Sequence, residues 1–166
     1  ETVAPPTTAT EFYPISSITS STAADDLFPV SNLILGPGVG FNAEDGFEKL
    51  LGGADGIWVT ADPGGFPADY IEVAGTPVLT LDLGADVNLG EISVWGYSST
   101  NANGVSAFSL RFATSAEGAT GAGSSITYSP TFEPNNDDDT ERQSFAFEET
   151  VNARYVEFTV VVEDNG

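Results

Sequence analysis

Apolar and polar residues alternate with a period of two through most apolar stretches of this chain, the signature of half-buried β-strands. The clearest case is 78–115, VLTLDLGADVNLGEISVWGYSSTNANGVSAFSLRFATS. Leu79, Leu81 and Leu83 alternate with Val78, Thr80 and Asp82, and Gly84 is expected to end that run. Ile92 and Val94 then face one way while Glu91, Ser93, Trp95 and Tyr97 face the other. Phe108, Leu110 and Phe112 alternate with Ser109, Arg111 and Ala113. Each run offers one apolar face to a shared core. Three strands of an antiparallel sheet follow.

The flanking segments extend the pattern. Residues 1–11 are Thr/Pro-rich and read as a linker or a mature N-terminus, and 12–166 reads as one domain. Phe12, Tyr13 and Ile15 are placed to tether the next stretch to the core, and 15–22 has the β-branched content of an edge strand. Residues 25–35 predict irregular packing or a short helical turn. The glycine-rich stretch 36–65 shows no strand period before 56–60, and 42–51 can form one or two helical turns capped by Asn42. Loops this long inside a domain are often functional. Later, 116–125 predicts a flexible connection, 126–132 a strand, 134–141 an acidic turn, 143–147 a short strand and 152–162 a strong one. Seven or eight short strands separated by turns predict an all-β fold, an antiparallel β-sandwich of jelly-roll type.

Composition narrows the chemistry. With 166 residues, 40% of them hydrophobic, the chain can bury one sizeable core. Its 25 acidic and 4 basic residues leave a formal charge of −21, which repels nucleic acid and anionic lipid and suits a salty medium and cations. Cysteine and histidine are both absent. Disulfides, thiolate sites, histidine-based nucleophilic triads and the usual zinc ligands are therefore excluded. Methionine is absent as well, so Glu1 reads as a processed or externally defined start, and a removed signal peptide would leave no trace. No apolar run is long enough for a membrane-spanning helix, so insertion is not expected. Paired carboxylates alone can hydrolyse a glycosidic bond, but so many acidic residues make chance pairs unavoidable. No enzyme is expected.

In chain order, Asn32-Leu33-Ile34, Trp58, Leu81-Asp82-Leu83-Gly84, Glu91-Ile92-Ser93-Val94, 108–115 (FSLRFATS) and Ala153-Arg154-Tyr155-Val156 resemble the coagulation factor 5/8 type C, or discoidin, family. That group belongs to the galactose-binding-like jelly rolls. The resemblance spans about 31–158 and implies an eight-stranded sandwich with a non-catalytic binding role, as in carbohydrate-binding modules and adhesion domains. It also places Arg154 as a structural residue. Three departures stand out. The family's last strand, of the GLxEVxF kind, has no counterpart before Gly166, which leaves a cut-short chain, a strand from the N-terminus, or a partner that fills the gap. The threonine of the family's calcium loop is replaced by Gly56, and 36–65 is longer than the usual loop.

A sugar site needs an aromatic platform and planar polar groups. The candidate ligand-binding residues are Phe41, Phe66, Tyr70, Tyr97, Asn101 and Arg111. Phe66 and Tyr70 sit among prolines and glycines at a loop tip, and Asn101 lies in an amide-rich loop whose Asn103-Gly104 pair reads as a hairpin turn. Trp58 and Trp95 are alternative platforms, with Trp58 matching a core tryptophan of the resembling family. Arg111 either clamps a sulfate or uronate or pairs with a neighbouring carboxylate. Asp45 and Asp55, each followed by glycine, are the candidate ligands for a structural Ca²⁺, while 137–139 reads as a solvated turn. The expected function is non-catalytic binding of a polysaccharide or other glycan, beside further domains of a surface or secreted protein. The alternative is an assembly domain that self-associates through an open sheet edge or an exposed aromatic face.

Overall fold

A computed structural model describes residues 11–41, 43–44, 46–48, 56–60, 70–96, 104–119, 122–128 and 141–163. Five strands form one antiparallel hydrogen-bonded sheet: β1 (Ser17–Ser20), β2 (Val78–Val94), β3 (Val105–Ala113), β4 (Ala122–Tyr128) and β5 (Gln143–Glu163). Their order is β1-β2-β5-β3-β4, so β5 lies between β2 and β3. The all-β antiparallel expectation holds, and 15–22 does supply an edge strand.

Two of the strands are longer than the alternation predicts. Gly84 does not end its run, because β2 continues to Val94 through register shifts between Asp82 and Val87 and between Leu89 and Glu91. The expected strands 143–147 and 152–162 are likewise one strand, β5. Residues 78–82 of β2 pair with 155–159 of β5, whereas 91–94 pair with 143–146. Both strands therefore turn a corner together and run back over themselves, the way strands pass between sandwich layers through bulges. Gly84 makes the corner possible with φ +82, a left-handed conformation that side chains disfavour. A Cβ there would stand 2.8 Å from the Ser16 Oγ.

Arg154 locks this corner. Its Nε donates to the Asp82 carboxylate at 2.8 Å and its Nη2 to the second oxygen at 3.1 Å, while its guanidinium lies 5.0 Å from the Tyr155 ring centroid. The Gly84 backbone N–H also donates to Asp82, and the Ser115 N–H donates to Asp86. The bond from Arg154, joined by that from Gly84, holds the Asp82 carboxyl below its ordinary value, and the same pairing raises Arg154. The structural role implied for Arg154 is what the corner shows.

The main core lies between the two layers. Phe108 and Leu110 are fully buried and, with Val156, are packed by Leu81, Leu89, Ile92 and Phe147 among others. Contacts cross from one arm to the other: Phe108 meets Phe145 edge-on at 5.6 Å, Phe112 meets Phe147 at 5.2 Å, and Phe108 stacks on Phe158 at 4.6 Å. Burying such side chains supplies most of the driving force, at about 1.5–3 kcal/mol each.

Elsewhere the predicted elements shift by a turn. Residues 25–35 contain a 3-10 turn, Val30–Ile34, as expected. Thr60 makes only an isolated bridge to Ala24 where a strand was expected, and the described part of 42–51 consists of turns and bends without helix. Asn42 lies outside the described residues. Tyr70–Ala74 is a one-turn helix, and β4 begins at Ala122, within the stretch expected to be a flexible connection.

Candidate functional site

At the end of the sandwich where β2 finishes, a second, smaller core gathers residues far apart in sequence. Phe41 and Ile57 are buried, with Phe28, Phe47, Val59 and Trp95 packed against them. Trp95, just past the end of β2, is half-buried against Phe41 and Phe47. The Phe41 ring meets Trp95 at 4.9 Å and Phe47 at 5.2 Å, and Phe12 reaches Phe47 at 4.6 Å. The tether expected of Phe12 is thus realised. Edge-on and tilted ring pairs of this kind contribute about 0.5–1.5 kcal/mol beyond their burial.

Directed bonds fix this loop. The Trp95 indole N–H donates to the Phe47 carbonyl at 3.0 Å. Arg142 donates from Nη2 and Nε to the two Glu48 carboxylate oxygens at 2.8 and 3.2 Å, and from Nη1 to the Ser144 hydroxyl at 2.8 Å. Its backbone N–H donates to the Glu48 carbonyl, Glu91 lies 3.7 Å away, and its guanidinium sits 5.5 Å from the Phe12 centroid. One arginine therefore joins the N-terminal tether, the 41–48 loop, β2 and β5. Asn32 adds a bond from Nδ2 to the Ile57 carbonyl, and the Thr60 hydroxyl donates to Thr22. Thr60 and Gly96, from which the chain enters 61–69 and 97–103, are both buried.

The candidate residues fall on several sides of this frame. Phe41 is only 4% exposed, so it supports the loop from inside and offers no face to a sugar. Arg111 pairs with Glu157 at 3.7 Å on the outer surface of β3 and β5, which realises the second of its two readings. Its Nε is buried with no hydrogen-bond partner. Trp58 is half-buried beside the small core, and its Nε1 is likewise without a partner. Tyr13 is the aromatic residue most open to solvent among those described, at 41%. Phe66, Tyr97, Asn101, Asp45 and Asp55 lie outside the described residues, as does the Tyr70 side chain. Among the described residues no three acidic groups gather in a way that fits a metal ion.

Sequence reasoning did not single out Phe47, Glu48 or Arg142. The available signal was scarcity, since Arg142 is one of only 4 basic residues and follows directly on an acidic stretch. The bonds that Arg142 makes to Glu48 and Ser144 account for a cation at this position.

A cavity of about 550 Å³ runs from this end between the layers, lined by Leu79, Leu83, Ile92, Phe112, Trp58 and Trp95 among others. Its walls are mostly apolar, the wrong chemistry for a molecule covered in hydroxyls. At its rim the exposed Tyr13 and Glu11 face solvent.

These layers form an antiparallel β-sandwich, a fold that solved carbohydrate-binding modules share. The chain is similar to the family 32 carbohydrate-binding module of C. perfringens NanJ, solved with galactose, at 17% identity and a TM-score of 0.57, covering 91% of this chain and 87% of that one. It is similar to a module of the same family, CBM32-3, from a family 31 glycoside hydrolase of Clostridium perfringens, at 18% identity and a TM-score of 0.57 over 90% and 80% of the two chains. A chitosan-binding module of a chitosanase/glucanase from Paenibacillus sp. IK-5 shares 14% identity over 90% and 85%, with a TM-score of 0.53. No family model and no curated protein matches the sequence.

Proposed function

We propose that this chain is a non-catalytic glycan-binding module of a secreted or surface-displayed protein. The observation that carries the reading is the shared sandwich, which aligns with carbohydrate-binding modules over about nine-tenths of this chain. The aromatic end supports it, because Trp95 and Arg142 fix a cluster of aromatic side chains there. Its chemistry suits recognition, with no histidine or cysteine in the chain to act as nucleophile or base. Native gels containing a panel of polysaccharides test the proposal. Retention by at least one glycan, without its hydrolysis, is the expected result; free migration through all of them would refute it. Repeating the gels with calcium and with chelator tests the metal expected at Asp45 and Asp55.

A second reading rests on the β2 edge. β1 pairs with β2 only at 79–82, and among the described residues no strand pairs with 84–94 on the side away from β5. An open edge beside an apolar cavity favours strand addition and assembly. Light scattering tests it: a mass that rises with concentration supports assembly, and a stable monomer counts against it.

A further inference from the structure

We infer that the cavity between the layers binds a lipophilic small molecule carrying an acceptor oxygen, and that the Trp58 indole N–H donates to that oxygen. The inference goes beyond glycan binding and stands without it. Inward-facing side chains of three strands are left half-open along the cavity. Leu81, Leu83 and Ile92 of β2, Phe112 of β3, and Phe147 and Phe158 of β5 all line it and are only half-buried. Leu110 and Ala153, which do not line it, are closed to solvent. Protein interiors are packed like organic crystals and hold few voids larger than a water molecule. A space of about 550 Å³ instead falls among the pockets of roughly 300–1,000 Å³ that hold small molecules. Since an apolar cavity of roughly 150 Å³ takes a benzene-sized guest, this one suits a guest of about twenty non-hydrogen atoms.

The polar groups on the wall set what that guest must carry. The Trp95 N–H is satisfied by the Phe47 carbonyl, and the Thr60 hydroxyl by Thr22. Trp58 Nε1, by contrast, is buried and meets no acceptor. Among the described residues of the wall it is the one buried side-chain donor without a partner. An indole N–H can only donate, and burial strips it of water without replacing the bond. A ketone, ester, ether or alcohol oxygen restores that bond, while the hydrocarbon remainder of the guest covers the half-open apolar side chains. An apolar wall with few placed polar groups is the usual composition of a small-molecule pocket.

Prodan, a neutral naphthalene ketone whose emission moves to the blue in apolar surroundings, tests the inference by titration into the intact chain. A saturable blue shift is expected, with one probe per chain and a Kd of about 100 µM or tighter. Dodecan-1-ol should displace the probe about fivefold more effectively than dodecane, because only the alcohol accepts a bond from the indole. Trp58→Phe should erase that preference. Leu83→Phe and Ile92→Phe, which fill the cavity from two positions on β2, should each weaken the probe severalfold while urea unfolding stays cooperative. No saturable shift would overturn the inference, and so would a shift that neither filling variant weakens. Equal displacement by the alcohol and the alkane, or a preference that survives in Trp58→Phe, would overturn it as well. An absent shift together with a mass that rises with concentration would assign the cavity to a strand from a second copy of the chain, against the small molecule.

Discussion

The two cores of this protein are built on different principles. The large one, around Phe108, Leu110 and Val156, consists of side chains delivered by strand alternation and packed across two layers. The small one, around Phe41 and Ile57, gathers residues from loops and relies on a few directed contacts, chiefly those of Trp95 and Arg142. The first is non-directional burial, roughly proportional to area. The second depends on particular donors meeting particular acceptors. Damage to the large core should therefore lower global stability, while damage to the small one should loosen a loop on an intact sandwich.

Phe108→Ala should have the largest effect, since the ring is fully buried; a loss of about 3–5 kcal/mol in urea unfolding is expected. Phe47→Ala, half-buried in the small core, should cost only about 1–2 kcal/mol by partial loss of burial. Equal losses at the two sites would erase the distinction. Gly84→Ala tests the corner that joins the layers. The left-handed backbone alone should cost about 1–2 kcal/mol, with the Ser16 contact adding to it. Trp95→Phe keeps an aromatic ring, though a smaller one, and removes the bond to Phe47, so a loss of at least about 1 kcal/mol is expected, with faster amide exchange confined to the described residues of the 41–48 loop.

Asp82 provides the test by pH. Its carboxyl titrates below its ordinary value of 3.8 because Arg154 and the Gly84 N–H favour the charged form. The stabilisation is fully present above that ordinary value and is lost as pH falls through the lower folded value. Acid unfolding curves should accordingly be flatter for Asp82→Asn than for the natural chain below about pH 4, where unfolded aspartate gains its proton. Arg111→Gln should have the smallest effect of all, within about 1 kcal/mol, because its ion pair lies at the surface, and glycan retention should not change.

The large core was legible from alternation alone, because period two names the inward residues wherever strands lie. Leu79, Phe108, Leu110 and Val156 all follow it. Alternation does not tell whether a strand stops or bends at a glycine, which is why Gly84 reads as an end when it is a corner. Deciding that requires the partner strand, and β5 lies some seventy residues further along. The small core was less legible for a related reason. Phe12, Phe41, Phe47, Trp95 and Arg142 obey no common period, and each is placed by contacts across long sequence separations. Phe41 illustrates the consequence: an aromatic residue in a glycine-rich loop reads as exposed until Phe47 and Trp95 are seen to enclose it.

The most direct test of the central claim uses the chain's own reporters. Its 2 tryptophans, Trp58 and Trp95, both border the aromatic end. Their fluorescence should be followed while a neutral polysaccharide that retains the protein is added. Glycan binding at this end predicts a saturable change in intensity or emission maximum, with the same midpoint as retention in the gel. Retention with no change in tryptophan emission would contradict the account and place the sugar elsewhere on the sandwich.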